Sequence, residues 1–219
     1  MVENSSASIQ LDIYSDVICP WCYVGKARLD EALKTLGNKL NIKTTWKPFE
    51  LNPSMPLEGT ERKAYLQKKF GTSDLSGMQN RLANAGAENG VQFNFDEIKK
   101  VPNTFKAHRL LWFAETKSKQ HALSEILFRN YFFDGKDVGD TDVLVDAAAE
   151  AGLDASEVRD FLNSESAVEE VRNEELEGRT LGINAVPTFI LNGEVVASGA
   201  VPPQELVAAI ESLALATLK

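Results

Sequence analysis

Cysteine and histidine are almost missing from this 219-residue chain: there are two of each, Cys19 and Cys22, His108 and His121. A structural zinc site takes four ligands, usually from a second C-x-x-C or a close histidine pair, so no metal site is expected. Two cysteines three positions apart close too short a loop to staple a fold of this size, so their role is chemical. Basic charge is short as well. Lys and Arg number 23 against 32 acids, for a net charge of -9. That excludes nucleic acid as the expected partner, because phosphate contacts need a basic surface, and it disfavours an anionic membrane face. No run approaches the roughly 18 apolar residues of a membrane span. Residues 1–10 carry neither a basic nor an apolar leader segment, which makes the cytoplasm the expected location; thiols there are held reduced. What is present is ordinary for one to two globular domains, with 43% hydrophobic and 25% charged residues.

The pattern along the chain changes twice. Residues 9–13 alternate apolar and polar, the period of a strand. Cys19-Pro-Trp-Cys22 follows a short loop. Val24, Ala27, Leu29, Leu33 and Leu36 then fall at roughly helical spacing until Gly37-Asn38. A second strand is expected over 42–51, completing a βαβ unit. From 59 to 182 the pattern is helical, with helices expected over 61–70, 76–89, 104–116, 120–131, 141–150, 156–162 and 166–181. Thr141 and Ser156 read as N-caps, and Gly71, Gly90, Gly152 and Gly182 as stops. Strands return at 188–191 and 194–197, joined by Asn192-Gly193, which suits a type I′ turn. A helix opened by Pro202-Pro203 closes the chain. The expected fold class is therefore α/β, with a large all-helical insertion over 59–182 between a βαβ half (1–58) and a ββα half (183–219).

Cys19 falls at the N-cap of the first helix, where unpaired backbone amides and the helix dipole favour a thiolate. The thiolate is the nucleophile of disulfide chemistry. Pro20 fits the first helical turn, and Cys22 lies one turn deeper, close enough to close a disulfide with Cys19. Attack on a substrate disulfide by Cys19 and resolution by Cys22 is the implied exchange. Trp21 offers a flat apolar surface to an unfolded or apolar partner. A C-x-x-C that follows a strand and opens a helix is the redox context. The plainer alternative is a pair of inert buried cysteines. Val186-Pro187-Thr188, at the start of the last ββα unit, is either an ordinary strand start or, facing the sulfurs, a cis proline. A cis bond there would turn the Val186 backbone outward to pair with an extended substrate.

Other residues have plainer readings beside functional ones. His108 sits among Phe105, Leu111 and Trp112, so a hydrogen-bonded core histidine competes with a cleft residue. Asn103, after Pro102 and before a helix, reads as an N-cap or as a cleft residue. Glu169, Glu170, Glu174, Glu175 and Glu177 read as a solvated helix face. Lys26 and Arg28 either raise the potential near Cys19 or serve as surface charges.

These strings resemble a known family. C-P-x-C at a strand–helix junction, the helical insertion and Val186-Pro-Thr-Phe-Ile190 resemble the DsbA-like branch of the thioredoxin superfamily. Cys19-Pro-Trp-Cys-Tyr-Val-Gly-Lys26, Trp46-Lys-Pro-Phe-Glu-Leu-Asn-Pro53, Asn103-Thr-Phe-Lys-Ala-His-Arg-Leu110, Tyr131-Phe-Phe-Asp-Gly135 and Ser198-Gly199-Ala200 resemble its FrnE-like group of dithiol–disulfide oxidoreductases. The resemblance implies a thioredoxin-like fold over 1–58 and 183–219. It also implies disulfide oxidoreductase or isomerase activity on a protein or small-molecule thiol or disulfide, with no cofactor beyond the redox-active pair. The same branch holds kappa-class glutathione transferases and 2-hydroxychromene-2-carboxylate isomerases, which typically carry Ser where this chain has Cys19. By position, their glutathione contacts fall near Asn52, Val186, Ser198, Gly199 and Ala200, so glutathione is a possible co-substrate. A glutathione-dependent isomerase or transferase, and a non-catalytic chaperone-like binder, are the alternative functions. With Trp21 between the cysteines in place of a stronger donor, the expected potential lies between about −120 and −270 mV. The sequence carries no oligomer signal.

Overall fold

Strand β1 (Ile9–Ser15) alternates as its sequence dictates, with Leu11 and Ile13 wholly buried. In the computed structural model, which describes residues 9–37, 40–72 and 74–217, it lies inside a four-stranded sheet. Residues 1–8 and Asn38, expected to help stop the first helix, lie outside the described residues. Helix α1 (Pro20–Leu36) returns the chain to β2 (Ile42–Pro48), which runs parallel to β1. Near the other end, β5 (Thr188–Leu191) pairs antiparallel with β1, and β6 (Glu194–Ser198) with β5, giving the order β2-β1-β5-β6. The β5–β6 turn has the expected chemistry: Asn192 and Gly193 take φ of 48° and 88°, as a type I′ turn requires. The closing helix, which is α9 in chain order (Pro203–Thr217), packs against α1.

Between β2 and β5 the chain forms β3 (Thr60–Glu61), α2 (Arg62–Phe70), α3 (Ser76–Ala87) and β4 (Lys100–Val101). Then follow α4 (Phe105–Thr116), α5 (Gln120–Phe132), α6 (Thr141–Glu150), α7 (Ala155–Asn163) and α8 (Val168–Thr180). The expected helices are all there, but the segment is not purely helical, because β3 and β4 pair antiparallel. Two caps also move. Asp140 caps α6 by accepting from the Asp142 and Val143 amides, and Asp154 caps α7 by accepting from that of Glu157. These carboxylates bind the first-turn amides in place of the Thr141 and Ser156 hydroxyls and add their charge to the dipole interaction.

One apolar cluster runs from the sheet into the helices. Tyr23 of α1 stacks on Phe128 of α5 at 5.2 Å between ring centroids, and Trp46 of β2 meets the same ring edge-on. The outer edge of β2 is closed by a side chain. The Gln120 amide accepts from Trp46 N (2.7 Å) and donates to Trp46 O (2.9 Å), standing in for a further strand. At the far end of the block, α8 packs against β2, and its Gly178 meets the buried ring of Tyr14 from β1. A Cβ on Gly178 would lie 2.3 Å from Tyr14 Cε1.

That contact gives a prediction whose sign rests on magnitudes. Gly178→Ala gains up to about 1 kcal/mol of helix propensity but forces a buried ring aside, an overpacking cost of about 1–3 kcal/mol. Net destabilisation is expected, read as a lower urea midpoint at unchanged slope. A midpoint at or above wild type would show that the ring yields freely.

Candidate active site

Cys19 caps α1 in an extended conformation (φ −86°, ψ 114°), with Pro20 at the first helical position. Its amide donates to Asp16 O (2.9 Å), and its carbonyl accepts from the amides of Cys22 (3.0 Å) and Tyr23 (3.3 Å). Both cysteines are free thiols. The Cys19 side chain makes no capping hydrogen bond to the first-turn amides. Its thiol instead donates to the Val186 carbonyl at 3.6 Å. Cys22 is wholly buried. Burial pushes its thiol well up from the ordinary value, and the adjacent Cys19 pushes it further. The Ser15 hydroxyl, buried and without a hydrogen-bond partner, and the Asp16 backbone act the other way, as groups placed to favour the thiolate form.

Across from the sulfurs, the Val186–Pro187 peptide is cis. α1 passes it so closely that a Cβ on Gly25 would lie 2.7 Å from Pro187 Cγ. The Gly199 amide donates to Pro187 O (2.7 Å), which sets the 198–200 turn beside the proline. Arg28 donates to Ala200 O and ties that turn to α1. The Thr188 hydroxyl is spent internally, donating to Ala185 O at 2.8 Å with Ser198 Oγ 3.4 Å away. Trp21, 38% exposed, stands between two recesses. One runs along Val186 and Ser198–Val201. The other is an apolar cavity of about 250 Å³ bounded by Ile18, Pro20, Asn52 and side chains of α2, α3 and α5.

The structure thus gathers Cys19, Pro20, Trp21, Cys22, Val186, Pro187, Thr188, Ser198, Gly199 and Ala200, with Asn52 across the second recess. Asn103 works elsewhere: it accepts from Phe105 N (3.0 Å) at the start of α4 and donates to Met55 O (2.8 Å). His108 is buried with Nε2 3.6 Å from Asp16 Oδ1, and that nitrogen makes no hydrogen bond. It is therefore not the hydrogen-bonded core histidine that its neighbours suggest. Lys26 is buried between Asp30 and Glu125, 2.7 Å from each, so its charge is already matched.

The acidic run on α8 is only partly a solvated face. Glu169, Glu170 and Glu177 are exposed. Glu174 pairs with Lys47 at 2.6 Å. Glu175 is buried, where it pairs with Arg172 and Arg179 and accepts from the Glu50 amide. Arg172 also pairs with Glu50. The reason is packing: α8 lies against β2, so this side of the helix faces the chain that leaves the strand. Burial raises the Glu50 carboxyl despite Arg172. Burial would raise Glu175 too, but Arg179 and the Glu50 amide outweigh it and hold the carboxyl below its usual range. Ser15, Asp16 and Gly25 escaped the sequence reading. The available signal for Asp16 was a charge set directly before the apolar Val17-Ile18 that leads to Cys19.

Three comparisons bear on this geometry. A family model of the DSBA-like thioredoxin domain matches residues 10–211. The Bacillus subtilis protein YwbO is 30% identical over 195 residues, 88% of this chain and 91% of its own. The crystal structure of a probable DsbA oxidoreductase from Streptomyces coelicolor has a TM-score of 0.85 at 32% identity, over 95% of this chain and 90% of that one. The cytosolic disulfide reductase DsbM of Pseudomonas aeruginosa, solved with GSH, shares the fold at 19% identity and a TM-score of 0.66, over 93% of this chain and 98% of its own.

The ion cluster predicts how stability responds to acid. Because the folded-state Glu175 carboxyl is held down, its stabilisation is complete above the unfolded carboxylate value of about 4.3. It is lost as pH falls through the lower folded value. Glu175→Gln should therefore lower stability at pH 7 and flatten the decline between about pH 5 and 3. An unchanged acid limb in denaturant titrations would remove Glu175 from the account.

Proposed function

This chain belongs to the family of DSBA-like thioredoxin domains, and from that premise we propose that it is a dithiol–disulfide oxidoreductase or isomerase with Cys19 as nucleophile and Cys22 as resolving thiol. One observation carries the reading: the two thiols are unequal. Cys19, itself only 5% exposed, caps the helix start beside Trp21 and Val186, while Cys22 is wholly buried one turn deeper and burial pushes its thiol up. The Cys19 thiolate attacks a substrate disulfide R–S–S–R′, forms Cys19–S–S–R and expels R′S⁻, which takes up a proton. Cys22 then loses its proton and attacks Cys19 Sγ, closing the protein disulfide and releasing RS⁻. Two electrons pass to the substrate; the reverse sequence oxidises a dithiol. As the Cys22 thiolate forms, the Ser15 hydroxyl and the Asp16 backbone stabilise it.

Pro20, Trp21 and the Val186-Pro187-Thr188 segment form the surface that a thiol- or disulfide-bearing protein or small molecule meets. The redox-active pair needs no other cofactor. The recess along Val186 and Ser198–Ala200 supports glutathione as co-substrate, as does the shared fold with DsbM, solved with GSH. A cytoplasmic site of action and placement in the FrnE-like group belong to the same proposal. Among the described residues no helix is long and apolar enough to cross a membrane. That recess also keeps the second reading open, a glutathione-dependent isomerase or transferase.

Cys19→Ser should abolish single-turnover reduction of a disulfide substrate. Cys22→Ser should leave mixed disulfides on Cys19 that persist in intact-mass spectra. Ser15→Ala removes one hydrogen bond to a forming charge, worth about 1.5 kcal/mol, and should lengthen the life of the mixed disulfide about tenfold. Equilibration in glutathione buffers should show one two-electron couple between about −120 and −270 mV. Undiminished turnover by Cys19→Ser ends the proposal. A stable glutathione adduct that Cys22 never resolves moves the glutathione-dependent reading to first place.

A further inference from the structure

The cavity on the far side of Trp21 has two unlike parts. Its floor is apolar and buried: Leu66, Leu82, Ile98 and Phe132 line it. Its volume of about 250 Å³ exceeds the roughly 150 Å³ that suffices to hold a benzene ring. Its rim is cationic. Arg62 and Lys69, both on α2, line it together with Tyr65 and Asn52. The sequence of α2, RKAYLQKKF, holds four cations and no acid in a chain whose net charge is -9. None of these four cations pairs with a carboxylate among the described residues. Lys26, Lys47, Arg172 and Arg179, by contrast, are all matched.

Lys69 is held in place without being neutralised. Its ammonium donates to Tyr65 Oη (2.6 Å) and approaches Asn52 Oδ1 (3.4 Å), while Tyr65 donates to the same Asn52 oxygen (2.6 Å). Arg62 lies over the ring of Phe95, 5.9 Å from its centroid. A fixed, unpaired cation at the mouth of an apolar hole favours a ligand with the opposite arrangement, an apolar body that ends in an anion. Ile18 and Pro20, the chain neighbours of Cys19, line the same hole. Trp21 lines it too, so the cavity reaches the start of α1, where Cys19 stands.

We infer that the cavity is a subsite for one half of a small disulfide whose R group is an aromatic or branched apolar body carrying a carboxylate, bound by Lys69 and Arg62. The inference rests on the exchange reaction proposed above and names its substrate class. The balance is the same: the dithiol gives two electrons to R–S–S–R, two RSH leave, and Cys19 and Cys22 end as a disulfide. The lodged half is the one retained on Cys19 in the mixed disulfide, and the other half departs first.

The test uses the pre-reduced full chain in single turnover, so no external reductant enters. Two aromatic disulfides serve as probes: 5,5′-dithiobis(2-nitrobenzoate), which is anionic, and 4,4′-dithiodipyridine, which is neutral. The readout is the ratio of their second-order rate constants. In Lys69→Met/Arg62→Met, which removes both cations, the anionic-to-neutral ratio should fall at least about tenfold, since one charged contact of about 1.4 kcal/mol already accounts for that factor. In the wild type the same ratio should fall as KCl is raised. Met78→Trp, which narrows the cavity from α3, should slow both aromatic probes relative to hydroxyethyl disulfide. A ratio that the double variant leaves unchanged overturns the cationic rim. Equal slowing of aromatic and hydroxyethyl probes by Met78→Trp overturns the apolar subsite. If wild type and Cys19→Ser reduce the neutral probe equally, the exchange reading itself fails, which is a separate outcome.

Discussion

A carboxylate with no exposure to water organises the site. Asp16 leaves β1 into an apolar loop, and a buried charge left unpartnered would cost several kcal/mol. Its oxygens take the Leu51 amide at 2.8 Å and the Ile18 amide at 3.4 Å, and His108 stands 3.6 Å away. Its own carbonyl takes the Cys19 amide. Satisfying this one group joins the end of β1, the start of α1 and the segment after β2. The thiol at the helix start is positioned because a neighbouring charge had to be solvated by the protein itself. The unpaired His108 nitrogen shows that the solvation stops short of complete.

Charge is distributed by function as much as by solubility. Where α8 meets β2 and the chain after it, and where α1 meets α5, lysines and arginines are matched by carboxylates, and those pairs hold elements together. On α2 the cations are left unmatched among the described residues, next to an apolar recess. Trp21 separates that recess from the one beside Pro187, so the two sides of the thiol pair differ in both polarity and charge. A net acidic chain that repels anions over most of its surface nevertheless has one helix that attracts them.

Elements with a strong local signal were legible in the sequence. The alternation of β1, the I′ turn at Asn192-Gly193 and the long helices α4 and α5 follow from period and turn chemistry, which need no knowledge of the partner. Cys19-Pro-Trp-Cys22 and Val186-Pro187 were legible as a pair because each stands at an element boundary. The short β3–β4 pair was not, since two-residue strands carry no periodicity. Glu175 was misjudged for a related reason. A glutamate on a helix looks solvated until tertiary packing puts two arginines and a backbone amide against it. Lys26 shows the same thing, as its partners Asp30 and Glu125 are four and ninety-nine residues away. Ser15, Asp16 and Gly25 have meaning only through what they touch.

The attachment of the helical block is uneven along its length. Its later helices are pinned to the sheet and the chain just after β2 at three points: Gln120 on the edge of β2, Gly178 against Tyr14, and Arg172 on Glu50. Helices α2 and α3 have little of this; apart from Leu66, Leu82 and Gly86, their side chains and backbone are largely open to water. Opening free energies follow buried contacts, so these two helices are held less firmly than α4 and α5, most of whose residues are buried. The apolar recess is thus walled by lightly packed helices on one side and by residues of the closely packed α5 on the other.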